Sequence, residues 1–114
     1  MEWSVTEETG KTAVVLFTGN INVNDEPAII QMVKDVLLPK GTVFVIFDLS
    51  RVEYVDSAGM GSFLAARSIL NKNSGELALA SPSPKIEKIL SLAGFNKIFK
   101  IYDTLDEARR KVAL

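Results

Sequence analysis

Val43-Phe44-Val45-Ile46-Phe47-Asp48-Leu49-Ser50-Arg51-Val52-Glu53-Tyr54-Val55-Asp56-Ser57-Ala58-Gly59-Met60-Gly61 decides how the rest of the chain is read. Its first five residues are apolar at every position. A strand over Thr42 to Asp48 must therefore be covered on both faces, as in a parallel sheet flanked by helices. Leu49 to Asp56 reads as a loop. From Ser57 to about Asn73 the pattern becomes helical, with Phe63, Ala66 and Leu70 as the apolar stripe and Asn73-Ser74-Gly75 as the stop.

Towards the N-terminus, Trp3 and Val5 alternate with polar neighbours, Thr9-Gly10-Lys11 signals a turn, and Thr12 to Thr18 resumes as a strand. These two form an antiparallel hairpin. Gly19 to Asp25 is dense in loop formers, and Asn24 or Asp25 can cap a helix with Pro27 in its first turn. Ile29, Val33, Val36 and Leu37 share one face of that helix, and Pro39-Lys40-Gly41 ends it.

Towards the C-terminus, Leu77 to Ala80 is a short strand. Ser83 and Pro84 open a helix carrying Ile86, Ile89 and Leu90, which Gly94 closes. Ile98 to Tyr102 is a last strand. Thr104-Leu105-Asp106-Glu107 is a capping box before a final helix that turns Ala108 and Val112 to the core. The order is β-β-α-β-α-β-α-β-α. It predicts an α/β fold: a mixed sheet of about four or five strands with about four helices, right-handed at its parallel crossovers. Residues 1–114 form a single domain, since 114 residues leave no room for a second.

Composition removes several function classes. Thirteen basic against fourteen acidic residues leave a net charge of −1, no footprint for a direct nucleic-acid partner. With no cysteine there are no disulfides or thiolate sites, and with no histidine there is neither a Ser-His-Asp triad nor an imidazole metal ligand. No apolar run reaches the roughly 18 residues of a membrane span, and Met1-Glu2-Trp3-Ser4 lacks the features of a secretory signal. The expectation is a cytoplasmic protein with no membrane partner.

Chemistry is expected around Ser57. Ligands and partners gather at the carboxyl ends of strands in open α/β sheets, and a helix N-terminus favours an anion. Ala58, Gly59 and Gly61 leave little bulk near the hydroxyl, although glycine costs a helix about 1 kcal/mol against alanine. Two readings stay open. Asp56 or Ser57 is an ordinary cap with glycines for close packing, or Ser57 is an approachable hydroxyl where the fold tolerates a phosphate.

Other motifs fail. Gly59-Met60-Gly61-Ser62-Phe63-Leu64 has leucine where a dinucleotide fingerprint needs its third glycine. Asn20, Asn22 and Asn24 resemble a calcium loop, but Asp25 and Gln31 stand at its glycine and glutamate positions. Asp48, Glu53 and Asp56 read as solvated loop carboxylates before they read as a magnesium site. No metal and no cofactor is expected.

The quoted stretch resembles the signature of the STAS family of bacterial anti-sigma-factor antagonists: a hydrophobic strand ending Asp48-Leu49-Ser50, then Asp56-Ser57-Ala58-Gly59-Met60-Gly61 opening a helix. The likeness continues in Gly19-Asn20-Ile21-Asn22, in Leu92-Ala93-Gly94-Phe95-Asn96-Lys97-Ile98-Phe99 and in Thr104 to Ala108.

The resemblance implies a non-enzymatic protein, a transcription regulator by partner switching. Its unphosphorylated form would bind an anti-sigma factor that is also a serine kinase, releasing a sigma factor. Phosphorylation at Ser57 would block binding, and a phosphoserine phosphatase would restore it. Asn22, Asp56, Ser57, Ala58, Gly59, Met60, Gly61 and Ser81 are the implied partner-binding residues. Asn22 departs from the family pattern, which has aspartate there, so phosphate acceptance is the property this change puts in question. The alternative is a STAS-type nucleotide or anion sensor using the head of the helix. Catalysis, by Ser57 as a nucleophile or Asp48 as a phosphate receiver, lacks a base for the first and a paired-acid cluster for the second.

Overall fold

The computed structural model describes residues 1–112. Strand β1 (Glu2–Thr9) turns through Gly10 and Lys11 into β2 (Thr12–Ile21), and the two pair antiparallel. Strands β3 (Phe44–Val55), β4 (Glu76–Ala80) and β5 (Ile101–Tyr102) follow in parallel, so the sheet runs β1-β2-β3-β4-β5 with one antiparallel edge. The helices are α1 (Glu26–Gln31), α2 (Ser57–Lys72), α3 (Pro84–Leu92) and α4 (Leu105–Lys111). The expected mixed sheet with four helices is the one found. None of these helices is long and apolar enough to cross a membrane.

Alternation along the strands sorts the core into two layers. Ala13, Val15 and Phe17 of β2, Val45 and Phe47 of β3, and Leu77 and Leu79 of β4 face α1, α2 and α3. Val14, Ile46, Ala78 and Ala80 point the other way, where Ala108 and Val112 cover them. Both faces of β3 are thus buried, as its continuous apolar run requires. Phe17, Phe47 and Phe63 meet edge to face, with ring centroids 4.7 Å apart for the first two and 5.5 Å for the last two. This trio, fully buried, fastens α2 to the centre of the sheet.

Four boundaries differ from the sequence reading, the first being that β2, expected to end at Thr18, runs on through Gly19 and Asn20 to Ile21. Leu49 to Val55, expected as a loop, continues β3 and pairs with β2 as far as Ile21↔Val55. Leu16 and Thr18 pair with Asp48 and Arg51, and Gly19 and Asn20 with Val52 and Tyr54. At each place β3 carries one more residue than β2. Such bulges break the two-residue alternation by which a strand is recognised.

The first helix is also irregular. A 3-10 turn (Val23–Asp25) precedes α1, and a π segment (Met32–Leu37) and a second 3-10 turn (Leu38–Lys40) follow it. The wider bonding, with the Leu38 N–H donating to the Val33 carbonyl, accompanies a core of Ile29, Met32, Val33 and Leu37 and leaves Val36 half-buried. At the C-terminal side, β5 keeps only Ile101 and Tyr102. Phe95–Lys97 is a 3-10 turn, and Phe99 is buried against Phe95.

Helix α4 is capped as expected on one side: Thr104 Oγ1 accepts from the Glu107 N–H at 3.1 Å. It is tied to β1 by Arg109, whose Nε donates to Glu7 Oε1 at 2.7 Å while Nη2 reaches Oε2 and Nη1 reaches Asp106. The hydrogen bonds from Arg109 hold the Glu7 carboxyl below the usual carboxylate range, against the smaller opposing effect of burial. A carboxylate depressed in this way stabilises the fold above its unfolded pKa of about 4.3 and loses that contribution as pH falls through the folded value. We expect Glu7→Gln to be slightly less stable than wild type above about pH 5 and indistinguishable well below the unfolded pKa, as read by urea denaturation across that range.

Candidate functional site at the head of helix α2

The end of β2 and the start of α2 meet at one backbone carbonyl. The Asp56 N–H donates to the Ile21 carbonyl at 3.2 Å, continuing the ladder one residue past β3. The chain then turns into α2 at Gly59, which is buried against the same group. A Cβ at Gly59 would lie 2.4 Å from the Ile21 oxygen and 2.9 Å from its carbon. No larger residue fits without moving backbone. Gly61 is different: a Cβ there would meet nothing within 4 Å. Close packing therefore explains one glycine of the pair and leaves the other without a structural reason.

Asp56 is the cap. Its carboxylate accepts from the Gly59 N–H at 2.7 Å, and its backbone is extended as an N-cap requires. Ser57 is the first helical residue and is exposed. Its hydroxyl is thus excused from capping. Ala58 and Met60 are half-buried, and Met60 packs on the core. Ser62, fully buried, donates to the Gly59 carbonyl at 2.5 Å.

Asn22 follows Ile21 directly and organises the next turn. Its Oδ1 accepts from the Asn24 N–H at 2.9 Å, and its own N–H donates to Asp25 Oδ2 at 2.8 Å. Of Asn24 and Asp25, the two caps the sequence offers for the helix, Asp25 stands at the N-cap of α1 but makes no capping bond there; its carboxylate instead completes the box by which Asn22 caps the turn Val23–Asp25. This reciprocal pair holds Val23 outward, 63% exposed.

Ser81 lies at the end of β4, where the backbone takes φ 55° and its N–H donates to the Tyr102 carbonyl at 2.9 Å. Pairing of β4 with β3 stops at Asp48↔Ala80, so Ser81 sits level with the first bulge of β3. The strand then runs seven more residues to Val55, roughly 20 Å at the usual rise. Ser81 is joined to Ser57 by neither pairing nor hydrogen bond among the described residues. A contact missed at sequence level bridges part of this span: Lys85 Nζ sits 5.4 Å from the centre of the exposed Tyr54 ring.

The carboxylates do not converge. Asp48 accepts from the Ser50 N–H at 3.0 Å, Asp56 is occupied by its cap, and no group of three acidic residues able to hold a metal is found among the described residues.

These features are those of a STAS domain, and the chain belongs to that family: the family profile matches residues 4–108. A Thermotoga maritima protein described as a candidate anti-sigma factor antagonist is 37% identical over 101 residues, covering 87% of this chain and 89% of that one. The crystal structure of an anti-sigma factor antagonist from Mycobacterium paratuberculosis superposes with a TM-score of 0.81 at 29% identity, over 97% of this chain and 92% of that one. The Bacillus cell fate determinant SpoIIAA, in its phosphorylated form, shares the fold with a TM-score of 0.73 at 21% identity, over 96% of this chain and 98% of that one.

The two glycines and the cap separate by stability. We expect Gly59→Ala to destabilise by about 1–3 kcal/mol or more, and Gly61→Ala to be neutral or stabilising by up to about 1 kcal/mol. Asp56→Ala should cost about 1 kcal/mol, and Ser57→Ala should stay within about 0.5 kcal/mol of wild type. Chemical denaturation of the four variants checks all of these together.

Proposed function

We propose that this protein is an anti-sigma factor antagonist, a non-catalytic cytoplasmic regulator whose Ser57 face binds an anti-sigma factor and so frees a sigma factor for transcription. Phosphorylation of Ser57 by a serine kinase activity of that partner closes the interaction, and a phosphoserine phosphatase reopens it. The observation that carries this reading is the exposed Ser57 hydroxyl beside an aspartate that has taken over the capping role. Two relatives, from Thermotoga maritima and Mycobacterium paratuberculosis, carry the antagonist description, and a fold relative has been solved in a phosphorylated form.

Physical chemistry supports the switch. A phosphoserine brings about −1.5 to −2 charges at neutral pH, and at the first residue of a helix these face unpaired N–H groups. The fold keeps its stability, and the cost falls on whatever packs closely against Ser57, Ala58 and Gly61. Asn22, Asp56, Gly59 and Met60 shape that surface from beneath, while Ser81, at the end of β4, stands apart from it. Asparagine at position 22 is compatible with this role. A carboxylate would make the same bond to the Asn24 N–H, so the substitution preserves the turn and removes one negative charge near the acceptor.

The test is recovery of partners from the source cell with Ser57→Ala and Ser57→Asp baits, followed by incubation of wild type with the recovered kinase and ATP. We expect a kinase-like anti-sigma factor on Ser57→Ala alone, and a mass gain of one phosphate on wild type that Ser57→Ala does not show. Equal capture by both baits, with Ser57 left unmodified, overturns the reading. Gly61→Lys, which fills open space, should weaken capture at least tenfold while melting as wild type does.

A further inference from the structure

The small residues around Ser57 cannot form an interface by themselves. A stable protein contact buries about 800 Å² on each partner, and its affinity concentrates in large, well-packed side chains. Ser57, Ala58 and Gly61 supply neither area nor anchor, so the docking surface must continue across a neighbouring element.

The structure indicates the direction. The turn Val23–Asp25 and helix α1 both pack against α2. Val23 is the most exposed large apolar residue near Ser57, and the Asn22 and Asp25 bonds hold its backbone in place. From Val23 a shallow groove of about 610 Å³ runs along α1, lined by Pro27, Ile30 and Gln31 together with the charged Glu26, Lys34 and Asp35. On α2, Leu64 lies seven residues after Ser57, on the same side of the helix, and is 39% exposed. Of the other exposed large apolar side chains, Tyr54 carries Lys85 over its ring, Ile98 follows the Phe95–Lys97 turn, and Leu92 ends α3, which begins near the carboxyl edge of the sheet and runs away from it.

Resting on the Ser57 reading, we infer that the anti-sigma factor docked at Ser57 extends over this groove and seats an apolar side chain between Val23 and Ile30. Two carboxylates and one ammonium in the lining select a partner segment whose apolar anchor is flanked by basic residues. The phosphorylation site and the main source of affinity then lie on different elements, Ser57 on α2 and the anchor pocket on the α1 side.

The experiment is calorimetric titration of the unphosphorylated chain with each anti-sigma factor of the source cell, purified in turn. Wild type, Val23→Asp, Val23→Ser, Ile30→Ala, Leu92→Asp and Ser57→Asp are compared, each with its melting curve. We expect Val23→Asp to lose at least tenfold in affinity, Val23→Ser and Ile30→Ala to lose several-fold, and Leu92→Asp to bind as wild type. The serine variant keeps the comparison valid if aspartate disturbs the turn. Full binding by the Val23 and Ile30 variants, with Ser57→Asp still blocking, overturns the groove and leaves the Ser57 reading standing. Failure of every anti-sigma factor to bind wild type overturns both.

Discussion

The carbonyl of Ile21 is the constraint on which the functional end of this molecule depends. It accepts the last ladder bond from Asp56 and occupies the space a Cβ on the buried Gly59 would need. Those two facts fix where β3 stops, how α2 starts and which residue stands first on the helix. Asp56 satisfies a helical N–H because its backbone has been set extended by that ladder bond, and Ser57 becomes free because Asp56 has done so. The phenylalanine trio in the core holds the body of α2 in register, so the head of the helix is pinned at two separate points.

Much of this was legible because the sequence obeys simple periods where the core is deepest. Val43 to Phe47 is apolar at every position, and Val45, Ile46 and Phe47 within it are fully buried; Phe63, Ala66 and Leu70 repeat at helical spacing and are fully buried. The capping signals at Ser83 and Thr104 correspond to bonds from Ile86 and Glu107 N–H groups. Where the period failed, the reading failed with it. Two bulges in β3 displaced Leu49, Val52 and Val55 from strict alternation, and a strand passed for a loop. In the first helix Met32, three residues after Ile29, keeps the helical period and is buried; the π segment tells instead at Val36, which that period assigns to the core and the structure leaves half-buried.

The site was legible in its composition and less so in its division of labour. Asp56, Ser57 and the two glycines stood out as residue types, but nothing in their spacing says which of the first two is the cap or which glycine meets backbone. Those answers depend on Ile21, thirty-five residues before Asp56 and brought to it only by the parallel pairing of β2 with β3. The same holds for Asn22. Its resemblance to a metal loop rests on alternate asparagines, whereas its oxygen is spent on a local turn.

Beyond Asp48 the strand β3 has a neighbour on one side only, since β4 has already ended. Past Thr18↔Arg51, where β1 ends too, the segment leading to Ser57 is a two-stranded ribbon whose Ile21, Val52 and Val55 are buried in the core. A load applied at the tip therefore passes through those buried side chains into the aromatic centre, and the platform beneath Ser57 keeps its shape as a partner approaches.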